Sequence, residues 1–395
     1  MNWKLNIVVL ILSVVIFKIY FVRNVTDVIE TMKETGYEGE LHYTTTEDGY
    51  ILVLQRIVRG PNTPDNAPIM NRHPVLLIHP LAASAIDWVY YHGNNSLPYL
   101  LFEKGYDVWL GNVRDAGVSF NHTSTSVYEH PEKFWNVSLH EIGFYDHPAM
   151  IDYILKKTGH KKVSYIGMSQ GEATFLVFAS SRPEYNEKVE VAILIAPSSH
   201  LKNSDNNFYK TLGKYWSSLE KISHTFGIYD LPFRDMVGFL CQYQIFSSVC
   251  NKILAPLVGY KNDDQYDSEI TTKLFRVYGT KFSLKHLFHY LQIFNTGIFR
   301  RYDYGKKENL NIYGSIEPPE YDLGKISAPV ALFWGENDCW SRPKDIEEMT
   351  RKLPNLVLSY KVPHMLFSHS DFLLAKDAKK LLYDELVKTV EKYNS

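Results

Sequence analysis

Val163-Ser164-Tyr165-Ile166-Gly167-Met168-Ser169-Gln170-Gly171 is the stretch on which the fold turns. Val163 to Ile166 has the length and composition of a strand, and an apolar helical pattern begins at Gly171. Between them lies G-x-S-x-G. At a strand-to-helix junction this pentapeptide makes a sharp turn. Its glycines let strand and helix approach closely, and its serine hydroxyl is lifted above the sheet edge. The pentapeptide is weak evidence by itself; the flanking elements give it weight. Ser169 is the candidate nucleophile.

The same alternation extends in both directions. Upstream are the apolar runs Pro74 to Ile78 and Asp107 to Leu110, and a helical pattern from Ser138 to Lys157 that stops at Gly159. Downstream comes Val189 to Ile195. Strand–helix–strand repeats at this spacing build a right-handed parallel sheet with both faces covered. Ahead of them, Gly39 to Arg56 reads as a hairpin around Glu47-Asp48-Gly49. From about Ser198 to Asp322 the alternation gives way to an aromatic, helical pattern. It resumes with Pro329 to Trp334, a helix from Pro343, Leu356 to Tyr360 and a last helix from Asp371 to Tyr393. The expected architecture is α/β: one core, residues 23–197 and 323–395, interrupted by a helical cap, residues 198–322.

Composition removes other classes. The 395 residues are 45% hydrophobic and 22% charged, which excludes a disordered chain. The net charge of -2 supplies no footprint for nucleic acid. At the N-terminus, Lys4 precedes the apolar run Leu5 to Phe17, so residues 1–22 read as a secretory signal peptide. An uncleaved anchor is the alternative, although Lys18 leaves the run short of the ~20 residues a span needs. Asn24, Asn94, Asn121 and Asn136 each open an Asn-x-Ser/Thr acceptor triplet, as a secreted glycoprotein would have. An oxidising compartment would pair Cys241 with Cys250 across a short loop, with Cys339 outside the pair. The three cysteines lack CxxC spacing, which argues against a structural zinc.

A serine hydroxyl needs a base, and the base needs an acid to hold its ring. In this topology they follow in the order Ser, acid, His. The loop after Phe333-Trp334 offers Glu336 and Asp338; Asp338 is preferred, and Asp345 reads as a first-turn helix carboxylate. After the last strand come His364 and His369. His369 is preferred, because it directly precedes the final helix. An oxyanion hole needs two fixed N–H donors. Gln170 supplies one. The other comes from His79-Pro80-Leu81, and since proline has no N–H, it must be Leu81.

These residues resemble the acid lipases, the family of gastric and lysosomal acid lipase and their insect relatives. The resemblance covers nearly all of the chain after residue 22. It is carried by Thr46-Glu47-Asp48-Gly49-Tyr50-Ile51-Leu52, Gly105-Tyr106-Asp107-Val108-Trp109-Leu110-Gly111-Asn112, Tyr145-Asp146-His147-Pro148-Ala149, Tyr302-Asp303-Tyr304-Gly305, Lys352-Leu353-Pro354-Asn355-Leu356 and His369-Ser370-Asp371-Phe372. It implies the α/β-hydrolase fold and a triad of Ser169, Asp338 and His369. It also implies an oxyanion hole at Leu81 and Gln170 and a cap disulfide like Cys241–Cys250. The implied substrate is a lipid ester at an oil–water or membrane interface, a triacylglycerol or sterol ester, with no metal or cofactor. The implied location is outside the cell or in the lysosomal lumen. A non-interfacial carboxylesterase and a lipid-binding protein on a weakened hydrolase frame are the competing readings.

Four positions depart from the family pattern. Pro80 replaces the usual glycine of His-Gly-Leu, Met168 the usual histidine, Glu172 a small residue, and Asp115 the glycine of Asn-x-Arg-Gly. A loop tuned to glycine need not accept proline. Glu172 suits a first helical turn, but near the serine it would oppose an anionic intermediate unless it pointed to solvent or held a proton.

Overall fold

The computed structural model describes residues 27–63, 71–116, 119–232, 265, 267 and 281–394. The N-terminal apolar run, Asn24, Cys241 and Cys250 lie outside the described residues. The main sheet contains β1 (Glu38–Thr45), β2 (Tyr50–Arg59), β3 (Pro74–Ile78), β4 (Asp107–Gly111), β5 (Asn121–His122), β6 (Val163–Met168) and β7 (Val189–Ile195). A two-residue ribbon, β8 (Asp230–Leu231) with β9 (Phe282–Ser283), stands apart from it, and β10 (Val330–Trp334) and β11 (Leu356–Lys361) complete it. The order is β1-β2-β4-β3-β6-β7-β10-β11, with β5 paired to β2. The β1–β2 and β2–β4 pairs are antiparallel, and every pair from β4 to β11 is parallel.

Side chains alternate between two cores, as the pleat requires. Leu76 and Ile78 of β3, with Tyr165 of β6, meet one core, which includes Phe175 and Phe178 of helix Gln170–Ser181. Val75, Leu77 and Ile166 meet the other, which includes Leu101 of helix Leu97–Glu103 and Leu386 of helix Asp384–Tyr393. Edge strand β11 instead exposes Ser359 and Lys361, polar residues that discourage further pairing.

Two expected helices differ in detail. The run after Ser138 begins with a capping box at Ser138 and Glu141, widens to a π-turn over Ile142–Asp146, and continues as His147–Thr158. Pro148 has no N–H to give, and the wider turn ahead of it absorbs the missing bond. The last helix is not continuous: Asp371–Leu374 ends at Ala375, which is extended, and helix resumes over Lys379–Tyr383 and Asp384–Tyr393. The bonds that would continue it are satisfied elsewhere. The Leu373 carbonyl accepts from His92 Nε2 at 2.7 Å, and the Asp377 N–H donates to Gln265 Oε1 at 3.2 Å.

Between β7 and β10 the described regular elements are the helices Asn207–Gly213, Trp216–Thr225, Leu284–Thr296 and Lys306–Tyr313, the 3-10 turn Leu323–Lys325, the β8–β9 ribbon and an antiparallel bridge between Arg300 and Glu320, joined by irregular loops. Helices Asn207–Gly213 and Leu284–Thr296 pack together through Tyr209, Leu212, Phe288 and Leu291. Among the described residues, no helix is long and apolar enough to cross a membrane.

Candidate active site

Met168 ends β6 and Gln170 starts a helix, so Ser169 alone makes the turn. Its φ of 53° and ψ of −108° fall in a region that costs about 1–3 kcal/mol for a residue with a side chain. The Ser169 N–H, bonded to the Ile195 carbonyl at 2.8 Å, helps to hold it there. Both flanking glycines are required by close approach. A Cβ on Gly167 would lie 2.5 Å from the Gly171 carbonyl oxygen, and one on Gly171 would lie 2.6 Å from that of Ile78.

Three loops at the carboxyl ends of the parallel strands bring the expected side chains together. His369, between β11 and helix Asp371–Leu374, places Nε2 2.8 Å from Ser169 Oγ. Its Nδ1 is 2.8 Å from Asp338 Oδ2, in the loop after β10. Facing a carboxylate, Nδ1 carries the hydrogen, and Nε2 then presents its lone pair to the serine hydroxyl. The second Asp338 oxygen accepts the Trp340 N–H at 2.8 Å. All three side chains are buried, Ser169 at 3%, Asp338 at 1% and His369 at 6% exposure, so water has little access to their hydrogen bonds. The Trp340 indole lies nearly parallel to the His369 ring, with centroids 5.1 Å apart and planes 17° apart.

The alternatives are engaged elsewhere. Glu336 is only half-buried and pairs with Lys361 at 2.9 Å, a hydrogen bond that lowers its pKa. Asp345 caps its helix, accepting the Arg342 N–H at 3.1 Å and the Asn203 N–H at 2.9 Å. His364 lies in the preceding turn, its N–H on the Val362 carbonyl.

Gln170 opens the elbow helix, so its N–H is a donor that a helix start leaves without an intrahelical acceptor. Leu81 follows β3, whose Ile78 is in register with Gly167, so its loop borders the elbow. In that loop, residue 80 lies outside the left-handed region; the residue that occupies it is Ala82, with φ 58°. Proline is therefore compatible with the loop. The His79 ring locks it further. Its Nε2 accepts the Val113 N–H at 3.4 Å, which leaves Nδ1–H to donate to the Pro80 carbonyl at 2.8 Å.

Glu172 does not point to solvent. It is fully buried and accepts the Ser198 and Ser199 N–H groups at 2.8 and 3.1 Å and the Ser199 hydroxyl at 2.6 Å. Burial raises its pKa to about 7, and those three bonds act in the opposite direction. The network accommodates either charge state. When Glu172 takes a proton, it can donate to Ser199 Oγ, whose own hydrogen turns toward His200 Nδ1, 3.0 Å away. Asp115 is committed as well: its Oδ2 meets His286 Nδ1 at 2.9 Å, joining the loop after β4 to helix Leu284–Thr296.

Sequence reasoning passed over Trp340 and the Asp115–His286 pair. The partners of each are remote in the chain and no short motif marks them. Asn121 and Asn136 are exposed; the Ser138 hydroxyl of the second triplet is buried against Glu141 at 2.7 Å. A polar cavity of about 440 Å³, lined by Arg114, His140, Lys285, Arg301 and Tyr304 among others, contains no member of the Ser169 cluster. Among the described residues, no group of three or more His, Cys, Asp or Glu is arranged to hold a metal.

Comparison with known proteins shows the family and the fold. Residues 73–370 match the alpha/beta hydrolase fold family, and residues 28–91 match the partial alpha/beta-hydrolase lipase region. Lipase 3 of Drosophila melanogaster is 35% identical over 94% of both chains. Gastric triacylglycerol lipase of Bos taurus is 32% identical over 89% of this chain and 88% of its own. Among solved structures, a putative aryl esterase from Burkholderia cenocepacia aligns with a TM-score of 0.52 at 13% identity, over 90% of this chain and 99% of that one. An epoxide hydrolase from Bacillus megaterium aligns at 0.51 and 13%, over 89% and 99%. At such identities these structures speak for the fold alone.

Proposed function

The chain belongs to the lipases of the α/β-hydrolase family, and from that premise we propose that it hydrolyses the carboxylic ester bonds of lipids, triacylglycerols first, through Ser169, His369 and Asp338. The observation that carries this reading is the His369 ring, hydrogen-bonded at 2.8 Å to Ser169 on one side and to Asp338 on the other.

Ser169 Oγ attacks the ester carbonyl while His369 Nε2 takes its proton. Asp338 keeps the hydrogen on Nδ1 and offsets the charge of the imidazolium. The N–H groups of Leu81 and Gln170 hold the oxygen of the tetrahedral intermediate. When it collapses, the proton passes from Nε2 to the departing alcohol and leaves an acyl-serine. Water then repeats the sequence and releases the fatty acid. No metal or cofactor is needed for these steps. The aromatic residues Tyr209, Tyr290 and Phe294 of the segment between β7 and β10 cluster on Trp340 beside the base and would offer an apolar wall to an acyl chain. The basic-then-apolar start of the chain and the exposed acceptor asparagines Asn121 and Asn136 support entry into the secretory route.

Ser169→Ala is the decisive variant. Purified from a secreting host, it should retain the native melting transition and lose turnover of emulsified triacylglycerol by ~10⁴-fold or more. The wild type should bind a fluorophosphonate covalently and the variant should not. Turnover retained by Ser169→Ala would remove the mechanism. Faster hydrolysis of dissolved short-chain esters than of emulsions would favour the carboxylesterase reading.

A further inference from the structure

A catalytic imidazole must keep one nitrogen on its carboxylate and the other on the serine through two proton transfers in each half-reaction. Hydrogen bonds at opposite ends of a ring leave it free to pivot about the line joining them, and a flat partner over the ring face removes that freedom. In this protein the partner is Trp340. Its indole covers the His369 ring with centroids 5.1 Å apart at 17°, while its own backbone N–H holds Asp338 Oδ1 at 2.8 Å. That second bond turns Oδ2 toward His369 Nδ1. One residue therefore constrains both the base and the acid.

The indole is gripped in turn. It is 5% exposed. Tyr209 lies at 4.9 Å and Phe294 and Tyr290 at 5.3 and 5.8 Å, the last two edge to face. These rings come from helices Asn207–Gly213 and Leu284–Thr296, outside the strand–helix repeat that supplies the Ser169 cluster. Tyr290 is fixed from its far end by the Ser198 hydroxyl at 3.0 Å, and Ser198 is held by Glu172 in the first turn of the elbow helix.

We propose that Trp340 is a positioning residue for the hydrolysis, the piece through which the aromatic helices between β7 and β10 hold the plane of the His369 ring. The inference rests on the assignment of Ser169, His369 and Asp338. An indole face also attracts a cation, so it favours the imidazolium that forms when His369 takes the serine proton. The competing role is passive: Trp340 as one wall of the acyl site, which would affect substrate binding and leave the base unaffected.

The two roles separate on two substrates. Full-length Trp340→Ala and Trp340→Phe enzymes are compared with wild type on a dissolved acetate ester and on an emulsified long-chain triacylglycerol. Fluorophosphonate labelling rates and the downfield proton resonance of the His369–Asp338 hydrogen bond are recorded alongside. Positioning predicts a kcat loss of ~100-fold for Trp340→Ala on both substrates, the scale of a small misplacement of a reacting group, with KM changed less than about threefold. Labelling should slow in proportion and the downfield proton should broaden or vanish. Trp340→Phe keeps a flat but smaller face and should lose about tenfold or less. If Trp340→Ala raises KM on the long-chain ester alone and leaves acetate kcat unchanged, the wall role is correct and the proposal falls. If Trp340→Ala does not fold, Trp340→Phe decides: labelling rate and downfield proton both equal to wild type would overturn it. A wild type that neither labels nor turns over either ester would instead refute the lipase reading, so the two failures are distinguishable.

Discussion

Arg114 and Glu172 are both charged side chains removed from water, and their surroundings have opposite character. The Arg114 guanidinium, 1% exposed, is ringed by carboxylates: Asp146 accepts from its Nε at 2.8 Å and from its backbone N–H at 2.9 Å, and Asp48 accepts from both terminal nitrogens. That cluster ties the β1–β2 turn to the loop after β4 and to the start of helix His147–Thr158. Among the described residues Glu172 has no cation beside it; its oxygens accept from dipoles, two backbone N–H groups and one hydroxyl. In the first arrangement the guanidinium does not titrate near neutrality, but burial still raises the pKa of Asp146 to about 6 against the pull of Arg114. In the second, where dipoles alone oppose the cost of burial, the Glu172 pKa is lifted to about 7. Counter-ions and dipoles can both satisfy a buried charge, and in neither setting does the fully buried carboxylate keep its ordinary pKa.

Three experiments would break or sharpen that contrast. The largest effect should come from Arg114→Ala, which strands Asp48 and Asp146 without their cation and removes the fork that joins three elements. A loss of about 3–5 kcal/mol is expected in urea unfolding, the range for breaking a buried pair from one side. A loss under about 1 kcal/mol would mean that the cluster is less dry than its burial indicates.

Next is the pH dependence of stability at Glu172. Its folded pKa of about 7 lies above the ordinary 4.5, so the native state holds the proton more tightly than the unfolded chain. The resulting stability is fully present below pH 4.5 and is lost as pH rises to about 7, amounting to about 3 kcal/mol for that shift. Melting scans across that window should show a decline in wild type that is flattened in Glu172→Gln. Parallel curves for the two proteins would place the titration elsewhere. The smallest effect is reserved for Pro80→Gly, which restores the usual family residue. Since the loop accepts proline without a left-handed φ at residue 80, glycine should only add freedom to the unfolded chain and cost about 0.5–1 kcal/mol, leaving kcat nearly unchanged. A rise in kcat of tenfold would show that proline does strain the His79–Leu81 loop.

Much of the candidate site was legible because each of its parts is a local signal. Gly167 and Gly171 announce a tight strand-to-helix turn, and the structure shows why a Cβ fits at neither. Asp338 and His369 were legible by position, as residues in loops after the last two parallel strands. Asp345 was read as a helix carboxylate from Pro343 and its place in the first turn, and it caps that helix. The break at Ala375 was not legible, since the residues around it continue an apolar helical pattern and the groups that divert the chain, His92 and Gln265, come from far away. The fate of Glu172 was open for a similar reason. Which way a side chain in a first turn points depends on what packs over it, and here that is the turn at Ser198 and Ser199.

The sequence by itself determined the order of strands and helices, the place of the elbow and the residue types available at the carboxyl edge of the sheet, because these depend on periodicity and on backbone demands satisfied within a few residues. Only the tertiary structure decided that the His369 ring reaches a hydroxyl 200 positions away, that an indole lies across its face, and that a carboxylate near Ser169 is tied down by dipoles. Contacts of that kind are made when distant segments are packed together, and the pattern of a short segment carries no record of which distant segment will close over it.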